Sequence, residues 1–124
     1  MKYLLDTNFL IALLDEGNDK HKDAMEIAYG FAGDSNFVIP SFVVAEMLVG
    51  TDQHETVFAF LDRLTDAFEG ITSIDLRYIG QIKSELRKRL RANDCLVLAI
   101  SSRTKAKVVT FDIKLQKAVG KQLL

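Results

Sequence analysis

Four acidic residues each follow or open a short apolar segment, at positions where they could hold a divalent cation against a phosphate. They are Asp6, Glu46, Asp94 and Asp112. Carboxylates a few ångströms apart raise one another's pKa, and their burial adds a desolvation cost. Mg²⁺ or Mn²⁺ reverses this balance, because both ions prefer carboxylate oxygens and water as ligands. The pattern therefore predicts hydrolysis of a phosphodiester bond, since such a cation polarises phosphate and activates water.

The segments that position these acids are predicted to alternate between strand and helix. Short apolar runs predict strands at residues 3–5, 37–39, 71–74 and 108–109, and residues 121–124 could add a short edge strand. Helices are predicted at roughly 8–14, 19–31, 41–48, 55–68 and 75–90. Asn93 is the predicted cap of a further helix through residues 95–100, and a short helix is predicted after Asp112. Ser41 is the predicted cap of the third helix.

This alternation predicts an α/β fold, a three-layer α/β/α sandwich around a central, mainly parallel sheet of four or five strands. In sheets of this kind, ligands bind beyond the carboxyl ends of the strands. Asp6 would follow the first strand and Asp112 the strand at 108–109, while Glu46 and Asp94 would lie on neighbouring helices. All four carboxylates should then meet at one edge of the sheet.

Each acid also has an ordinary structural interpretation. Asp6 could be a helix N-cap, Asp94 could complement a helix dipole, and Asp112 could be a turn or cap residue. Glu46 is more informative, because its neighbours at helical spacing are largely apolar, namely Phe42, Val43, Val49 and Gly50. Nearby hydroxyl and amide groups could orient the carboxylates or serve as routine caps, and these belong to Thr7, Asn8, Ser41, Asn93 and Thr110.

Length and composition predict one globular domain spanning residues 1–124. The chain is 48% hydrophobic and 27% charged with a net charge of −1, which excludes a uniformly basic nucleic-acid coat and a polybasic membrane protein. Its single cysteine, Cys95, allows no intrachain disulfide. No signal peptide and no apolar run of about 18 residues is visible, so a cytoplasmic protein without a membrane segment is expected.

Four segments of the chain resemble, in order, the four motifs of PIN-domain nucleases. Residues 4–11, Leu-Leu-Asp-Thr-Asn-Phe-Leu-Ile, look like the opening strand and its acid. Residues 40–46, Pro-Ser-Phe-Val-Val-Ala-Glu, are similar to the second motif, with its glutamate on a helix. Residues 93–99, Asn-Asp-Cys-Leu-Val-Leu-Ala, resemble the third motif, and residues 109–112, Val-Thr-Phe-Asp, resemble the fourth. The resemblance covers nearly the whole chain, at the size of the VapC-like toxins.

The resemblance implies a Mg²⁺- or Mn²⁺-dependent endoribonuclease. Its catalytic, metal-binding acids would be Asp6, Glu46, Asp94 and Asp112, supported by Thr110 and Asn8. VapC-like proteins are usually dimeric toxins held inactive by a cognate antitoxin, so a homodimer and an antitoxin partner are expected. Two departures from the family pattern stand out. Leu115 stands where many relatives carry an aromatic residue, and the chain ends soon after the fourth acid, so a short or missing last strand is expected.

A basic row runs along the predicted helix 75–90 and ends beside the third acid. Lys83, Arg87 and Arg91 recur every four residues in this row. A basic row leading into a metal site would suit contact with an RNA backbone. The alternative is a solvated helix face that is partly paired within itself.

Other functions make different demands on the same residues. A phosphatase of the haloacid-dehalogenase kind needs a second aspartate two residues after the first, but that position holds Asn8. A receiver-like signalling module needs paired acids near the first strand and a lysine after a late strand, which Lys2 and Asp6 do not supply. A non-catalytic binding module of PIN fold and an RNA-processing nuclease outside toxin–antitoxin systems stay open as alternatives.

Overall fold

The computed structural model describes residues 1–119, and it confirms the predicted α/β class. Within these residues there are three strands, β1 (Lys2–Leu5), β2 (Asn36–Val38) and β3 (Lys107–Val109). The helices are α1 (Thr7–Leu14), α2 (His21–Tyr29), α3 (Ser41–Val49), α4 (His54–Asp62), α5 (Ser73–Gln81), α6 (Ser84–Arg87), α7 (Ala92–Thr104) and α8 (Ile113–Ala118). None of the described helices has the length and apolar character needed to cross a membrane.

The three strands form a parallel sheet in the order β2-β1-β3. β1 is central, and Leu4 pairs with Val38 on one side and with Val108 on the other. Parallel neighbours require crossover connections, which the helices between the strands supply. The carboxyl ends of β1 and β3 therefore lie side by side, and the main-chain amide of Asp6 donates a hydrogen bond to the Val109 carbonyl at 3.1 Å.

Two hydrophobic clusters cover the two faces of the sheet. Side chains alternate along β1, so Leu5 packs into one cluster and Leu4 into the other. The Leu5 cluster includes Phe9 of α1 and Val43 of α3, and the Leu4 cluster includes Leu98 of α7. Each fully buried side chain of this size contributes about 2 kcal/mol to folding. Burial on both faces produces the three predicted layers and explains why the strands read as short apolar runs.

The strand predicted at residues 71–74 is wrong, because this segment begins α5 instead. Thr72 is the N-cap of that helix, and its hydroxyl accepts a hydrogen bond from the Asp75 amide at 3.4 Å. The Asp75 carboxylate in turn accepts one from the Thr72 amide at 2.9 Å. This reciprocal capping outweighs the strand preference of Ile71 and Ile74, whose side chains are exposed.

The described sheet consequently has three strands rather than four or five. A single bridge between Pro40 and Glu69 adjoins it, outside the named strands. Pro40, and not the predicted Ser41, is the N-cap of α3, while the Ser41 hydroxyl donates to the Glu69 carbonyl at 3.3 Å. The edge strand predicted at residues 121–124 lies outside the described residues.

The helix predicted over residues 75–90 is interrupted. α5 ends at Gln81, Ile82 adopts an extended backbone, and α6 is a separate short helix. The apolar residues at helical spacing nevertheless all pack into the Leu4 cluster, and these are Ile79, Ile82, Leu86 and Leu90. Helical spacing therefore matches the burial of these four residues, although the helix predicted over residues 75–90 is not continuous. The helix predicted over residues 55–68 likewise ends early, at Asp62.

An ion pair with a buried carboxylate joins α5 to α7. Arg103 donates from Nε to Oδ1 of Asp75 at 2.8 Å and from Nη2 to Oδ2 at 3.1 Å. Burial alone would raise the pKa of Asp75, but the hydrogen bonds and charge of Arg103, with the bonds from Thr72, hold it below its usual value. Arg103 also lies 3.5 Å from the Glu69 carboxylate, beside the start of α3. One arginine therefore connects α7, α5 and the segment next to α3.

Replacing Arg103 with Ala should lower the free energy of unfolding by about 3 kcal/mol, because the buried carboxylate of Asp75 loses its partner. Urea unfolding at neutral pH measures this change. Arg77→Ala is the matched control, since Arg77 is an exposed arginine on α5, and it should change the stability by less than about 0.5 kcal/mol. Equally small effects from both substitutions would contradict the assignment of Arg103 as a structural partner.

Candidate active site

A cleft of about 850 Å³ lies at the carboxyl ends of β1 and β3, and all four predicted acids line it. Asp6 follows β1, Glu46 lies on α3, Asp94 is in the first turn of α7, and Asp112 precedes α8. The acids were predicted to meet at one edge of the sheet, and the structure places them together there. Four separate parts of the chain supply one acid each, so the cluster exists only in the folded protein.

Asp6 occupies the N-cap position of α1, but its side chain does not cap that helix. Its Oδ2 atom instead accepts a hydrogen bond from the Thr110 hydroxyl at 2.8 Å. The ordinary interpretation of Asp6 as a cap therefore does not account for its carboxylate, which is tied to the segment after β3.

Thr110 and Asn8 lie where the family resemblance placed supporting residues. The buried Thr110 hydroxyl accepts a hydrogen bond from the Asp112 amide at 3.0 Å while it donates to Asp6. The Asn8 side-chain oxygen accepts a hydrogen bond from the Phe111 amide at 3.0 Å. These bonds cross-link the segments that follow β1 and β3, and they fix Asp6 relative to Asp112.

Glu46 is held from across the cleft by Asn93, whose amide Nδ2 donates to Oε1 at 3.2 Å. Asn93 was predicted to cap α7, but it lies inside the first turn of that helix, and its side chain is therefore free to reach α3. Burial is the largest influence on Glu46 and raises its pKa. The Thr7 hydroxyl and Asn93 lower this pKa, whereas the charges of Asp6 and Asp94 raise it further.

Asp94 and Asp112 each also satisfy main-chain amides at the start of a helix. The Arg91 amide donates to Oδ2 of Asp94 at 3.2 Å. The amides of Lys114 and Leu115 donate to Oδ1 of Asp112 at 2.9 and 3.3 Å. The structural and the functional interpretations of these two acids are compatible, because capping engages only one oxygen of each carboxylate.

All four carboxylates share this arrangement within the described residues, since each accepts hydrogen bonds through one of its two oxygens. The engaged atoms are Oδ2 of Asp6, Oε1 of Glu46, Oδ2 of Asp94 and Oδ1 of Asp112. Within residues 1–119 no hydrogen bond of normal geometry engages the other oxygen of these carboxylates, while the Thr7 amide and hydroxyl lie close enough to lower the pKa values of Asp6 and Glu46. The Thr7 hydroxyl, which lines the same cleft, is buried without a hydrogen bond of normal geometry.

This donor set fits a hard divalent cation, because carboxylate oxygens are the ligands that Mg²⁺ and Mn²⁺ prefer. Within residues 1–119, however, no three acidic, histidine or cysteine side chains are grouped closely enough to hold a metal ion together. A cation in this cleft would therefore complete its coordination with water, as Mg²⁺ usually does.

Electrostatic repulsion within the cleft acts most clearly on Asp6. Burial raises the pKa of Asp6, and the charges of Asp94 and Asp112 raise it further. The hydrogen bond from Thr110 and the main-chain amide of Thr7 oppose this increase but do not cancel it. Without a cation, the folded protein therefore bears an electrostatic cost for keeping Asp6 ionised.

In metal-free protein, Asp6→Asn should raise the free energy of unfolding at neutral pH. The folded-state pKa of Asp6 lies above its ordinary value of 3.8, so the folded state binds more protons than the unfolded state between the two pKa values. The free energy of unfolding of the wild type consequently falls as the pH rises between these two pKa values. The stabilisation by Asp6→Asn should therefore disappear at pH values below both. Thermal unfolding in chelator from about pH 3 to about pH 8 measures this.

Asp52→Asn is the control for that experiment, because Asp52 is an exposed acid between α3 and α4. It should leave the dependence of stability on pH unchanged. A metal-free Asp6→Asn protein that is less stable than the wild type at neutral pH would contradict the repulsion described above.

The predicted basic row does not lie on one helix. Lys83 precedes α6, Arg87 ends it, and Arg91 precedes α7, so the four-residue spacing gives them no common helix face. Arg91 lines the cleft, whereas Lys83 and Arg87 are absent from its wall. The prediction that these three residues share one helix face is therefore wrong, while their contact with RNA stays a prediction.

Two other cations of the cleft wall, Arg89 and Lys114, were not among the predicted site residues. The available signal was their position in the sequence, since each lies within five residues of an acid motif. Leu115, the departure from the family pattern, is fully buried in the Leu4 cluster, and its amide donates to Asp112. An aliphatic residue at this position thus fills the core beneath the fourth acid.

Comparisons with known proteins agree with this geometry. The family model described as PIN domain matches residues 3–121. No curated protein matches the sequence significantly. The structure of VapBC2 from Rickettsia felis, bound to a promoter DNA fragment, is 25% identical with a TM-score of 0.67, and the match covers 100% of this chain and 97% of that chain.

Two further structures show the same fold. VapC20 of Mycobacterium tuberculosis, a toxin that cleaves the sarcin–ricin loop, is 18% identical with a TM-score of 0.71 and 94% coverage of each chain. A toxin–antitoxin complex from Klebsiella pneumoniae is also 18% identical with a TM-score of 0.71, and covers 98% of this chain and 96% of that chain. The chain therefore belongs to the PIN domain family, and VapC toxins of VapBC toxin–antitoxin systems are among its structural neighbours.

Proposed function

We propose that this PIN-domain chain is a metal-dependent endoribonuclease that hydrolyses RNA phosphodiester bonds and is the toxin of a toxin–antitoxin pair. The observation that carries the proposal is the set of four carboxylates in one cleft, each held in place by hydrogen bonds from the protein. The similarity to VapC20, a toxin that cleaves the sarcin–ricin loop, supports RNA as the substrate. Mg²⁺ or Mn²⁺ would be the cofactor.

The residues that would hold the cation are Asp6, Glu46, Asp94 and Asp112. Such a cation, when bound, neutralises phosphate charge and lowers the pKa of water. The chain's own contribution is to fix the carboxylates before RNA arrives. Thr110 holds Asp6, Asn93 holds Glu46, and main-chain amides hold the other two acids. Charges that are positioned in advance need no rearrangement as the reaction proceeds.

The proposal also includes two protein partners. The Rickettsia felis and Klebsiella pneumoniae structures are toxin–antitoxin assemblies, which supports a cognate antitoxin for this chain. A homodimer is proposed on the family resemblance. The single domain over residues 1–124 and the cytoplasmic location stay predictions from the sequence.

Purified protein should cleave RNA in Mg²⁺ or Mn²⁺ and should not cleave it in chelator. Asp6→Asn and Asp94→Asn should each lower the single-turnover cleavage rate by about a hundredfold or more, because each removes a carboxylate that would hold the cation against the phosphate. Labelled single-stranded and structured RNAs are the substrates, and gel-resolved products give the rate.

Asp52→Asn should retain the wild-type rate, because this acid lies outside the cleft. Cleavage that persists in both site variants would contradict the proposal and would indicate a contaminating nuclease. A well-folded wild type that leaves every RNA intact would instead favour a non-catalytic binding module.

Metal binding can be tested without any activity. Mn²⁺ at a hundredfold excess over its Kd should stabilise the wild-type protein by about 2.7 kcal/mol, because it binds the folded state alone. Thermal unfolding over a Mn²⁺ series measures this, and Asp94→Asn should remove most of the gain while Asp52→Asn keeps it. Equal stabilisation of all three proteins would place the bound Mn²⁺ outside the cleft.

A further inference from the structure

Three cationic side chains line the same cleft as the four acids. Arg89 and Arg91 come from the segment between α6 and α7, and Lys114 comes from the first turn of α8. All three residues are exposed. Within residues 1–119 the ion pairs are those of Arg103, so none of these three cations is paired with an acid there. These residues, called the cleft cations below, are available to an anionic ligand.

Two of the cleft cations are tethered to site acids through the main chain. The Arg91 amide donates to Asp94 at 3.2 Å, and the Lys114 amide donates to Asp112 at 2.9 Å. The main-chain position of each cation is therefore fixed relative to a carboxylate that would hold the metal. Because the two tethers belong to different helices, the cations approach the site from two separate parts of the chain.

The balance of charge in the cleft indicates what kind of ligand it takes. Four carboxylates outnumber three cations, so the metal-free cleft disfavours a phosphate. One bound divalent cation reverses the sign of the total charge. The total charge becomes +1, and the positive charges are those of the bound cation and of the wall, which suits a ligand with several negative charges in a row. An RNA backbone has this property, with one phosphate per nucleotide.

We propose that Arg89, Arg91 and Lys114 bind the RNA phosphates that flank the scissile one. Arg89 and Arg91 hold the backbone on the α7 side of the cleft, and Lys114 holds it on the α8 side. The ligand is an RNA stretch that presents at least one phosphate on each side of the cleaved bond. This inference rests on the proposed function, because it takes the four acids as the place of cleavage.

Lys83 and Arg87 provide a matched control for the cleft cations. Both are exposed basic residues that border or belong to α6, close in sequence to Arg89 and Arg91, but neither lines the cleft. A general attraction between RNA and a basic surface would involve them as much as the cleft cations. Specific contacts within the cleft would not.

The test is the salt dependence of RNA binding in the Asp94→Asn background, where cleavage is removed. Three carboxylates then face three cleft cations, so the cleft has no net negative charge and RNA binding does not depend on a bound metal. Each lost contact with a single-strand phosphate lowers the slope of log K against log salt by about 0.7. Replacing all three cleft cations with Ala should therefore lower the slope by about 2 and weaken binding by about tenfold or more. Fluorescence anisotropy of a short labelled RNA over a NaCl series gives both values.

The control variants separate charge in the cleft from charge elsewhere. Lys83→Ala with Arg87→Ala should leave the slope unchanged. Arg89→Lys with Arg91→Lys should also keep the slope, because the number of positive charges is preserved, although bidentate contacts are lost. Thermal unfolding of each variant checks that these exposed substitutions leave the fold intact. In the cleaving wild-type background, the triple Ala variant should raise KM and leave kcat nearly unchanged.

An unchanged slope in the triple variant, or an equal loss in the Lys83 and Arg87 control, would overturn the inference even if the wild type cleaves RNA. Failure of the proposed function gives a different result. In that case the wild type with metal leaves RNA intact. A salt slope that still depends on the cleft cations would then support their contacts with RNA phosphates without supporting cleavage.

Discussion

The burial of Asp6 and Glu46 beside two further carboxylates, those of Asp94 and Asp112, is the constraint on which the rest of this structure depends. The parallel order β2-β1-β3 places the ends of β1 and β3 side by side, and α3 and α7 bring the other two acids to the same cleft. The raised pKa values of Asp6 and Glu46 reflect burial together with the charges of neighbouring acids. A fold that keeps such a cluster needs enough packing elsewhere, and the two clusters on either face of the sheet supply it.

A comparison with Asp75 shows that the chain treats its site acids differently from a structural acid. Asp75 is fully buried, but Arg103 contacts both of its oxygens and the pKa is lowered. The site acids receive only uncharged donors, which are a hydroxyl, an amide side chain and main-chain amides. Their charge is therefore positioned but not neutralised by the protein. Under the proposed function a divalent cation would supply the neutralisation, because carboxylate oxygens are the ligands that such a cation prefers.

The features that depend on local sequence pattern could be predicted, whereas those that depend on tertiary contacts could not. The four acids and the short buried strands before Asp6 and Asp112 could be predicted, because apolar runs and strand ends are visible in the sequence. The burial of the apolar residues at helical spacing between Ile79 and Leu90 also follows from the sequence pattern. Helical spacing cannot show that the chain extends at Ile82, nor can strand preference show that Thr72 and Asp75 cap each other. The same break removes Lys83 and Arg87 from the cleft wall.

The most direct test of this account is a crystal structure of the protein with Mn²⁺, with data collected at the manganese absorption edge. The account predicts one or two anomalous peaks in the cleft, next to the carboxylates of the four acids. It also predicts that these peaks are lost in Asp94→Asn crystals grown in the same way. Saturating Mn²⁺ that leaves the cleft without a peak, or a peak held by residues elsewhere, would contradict the claim that the four acids form a cation site.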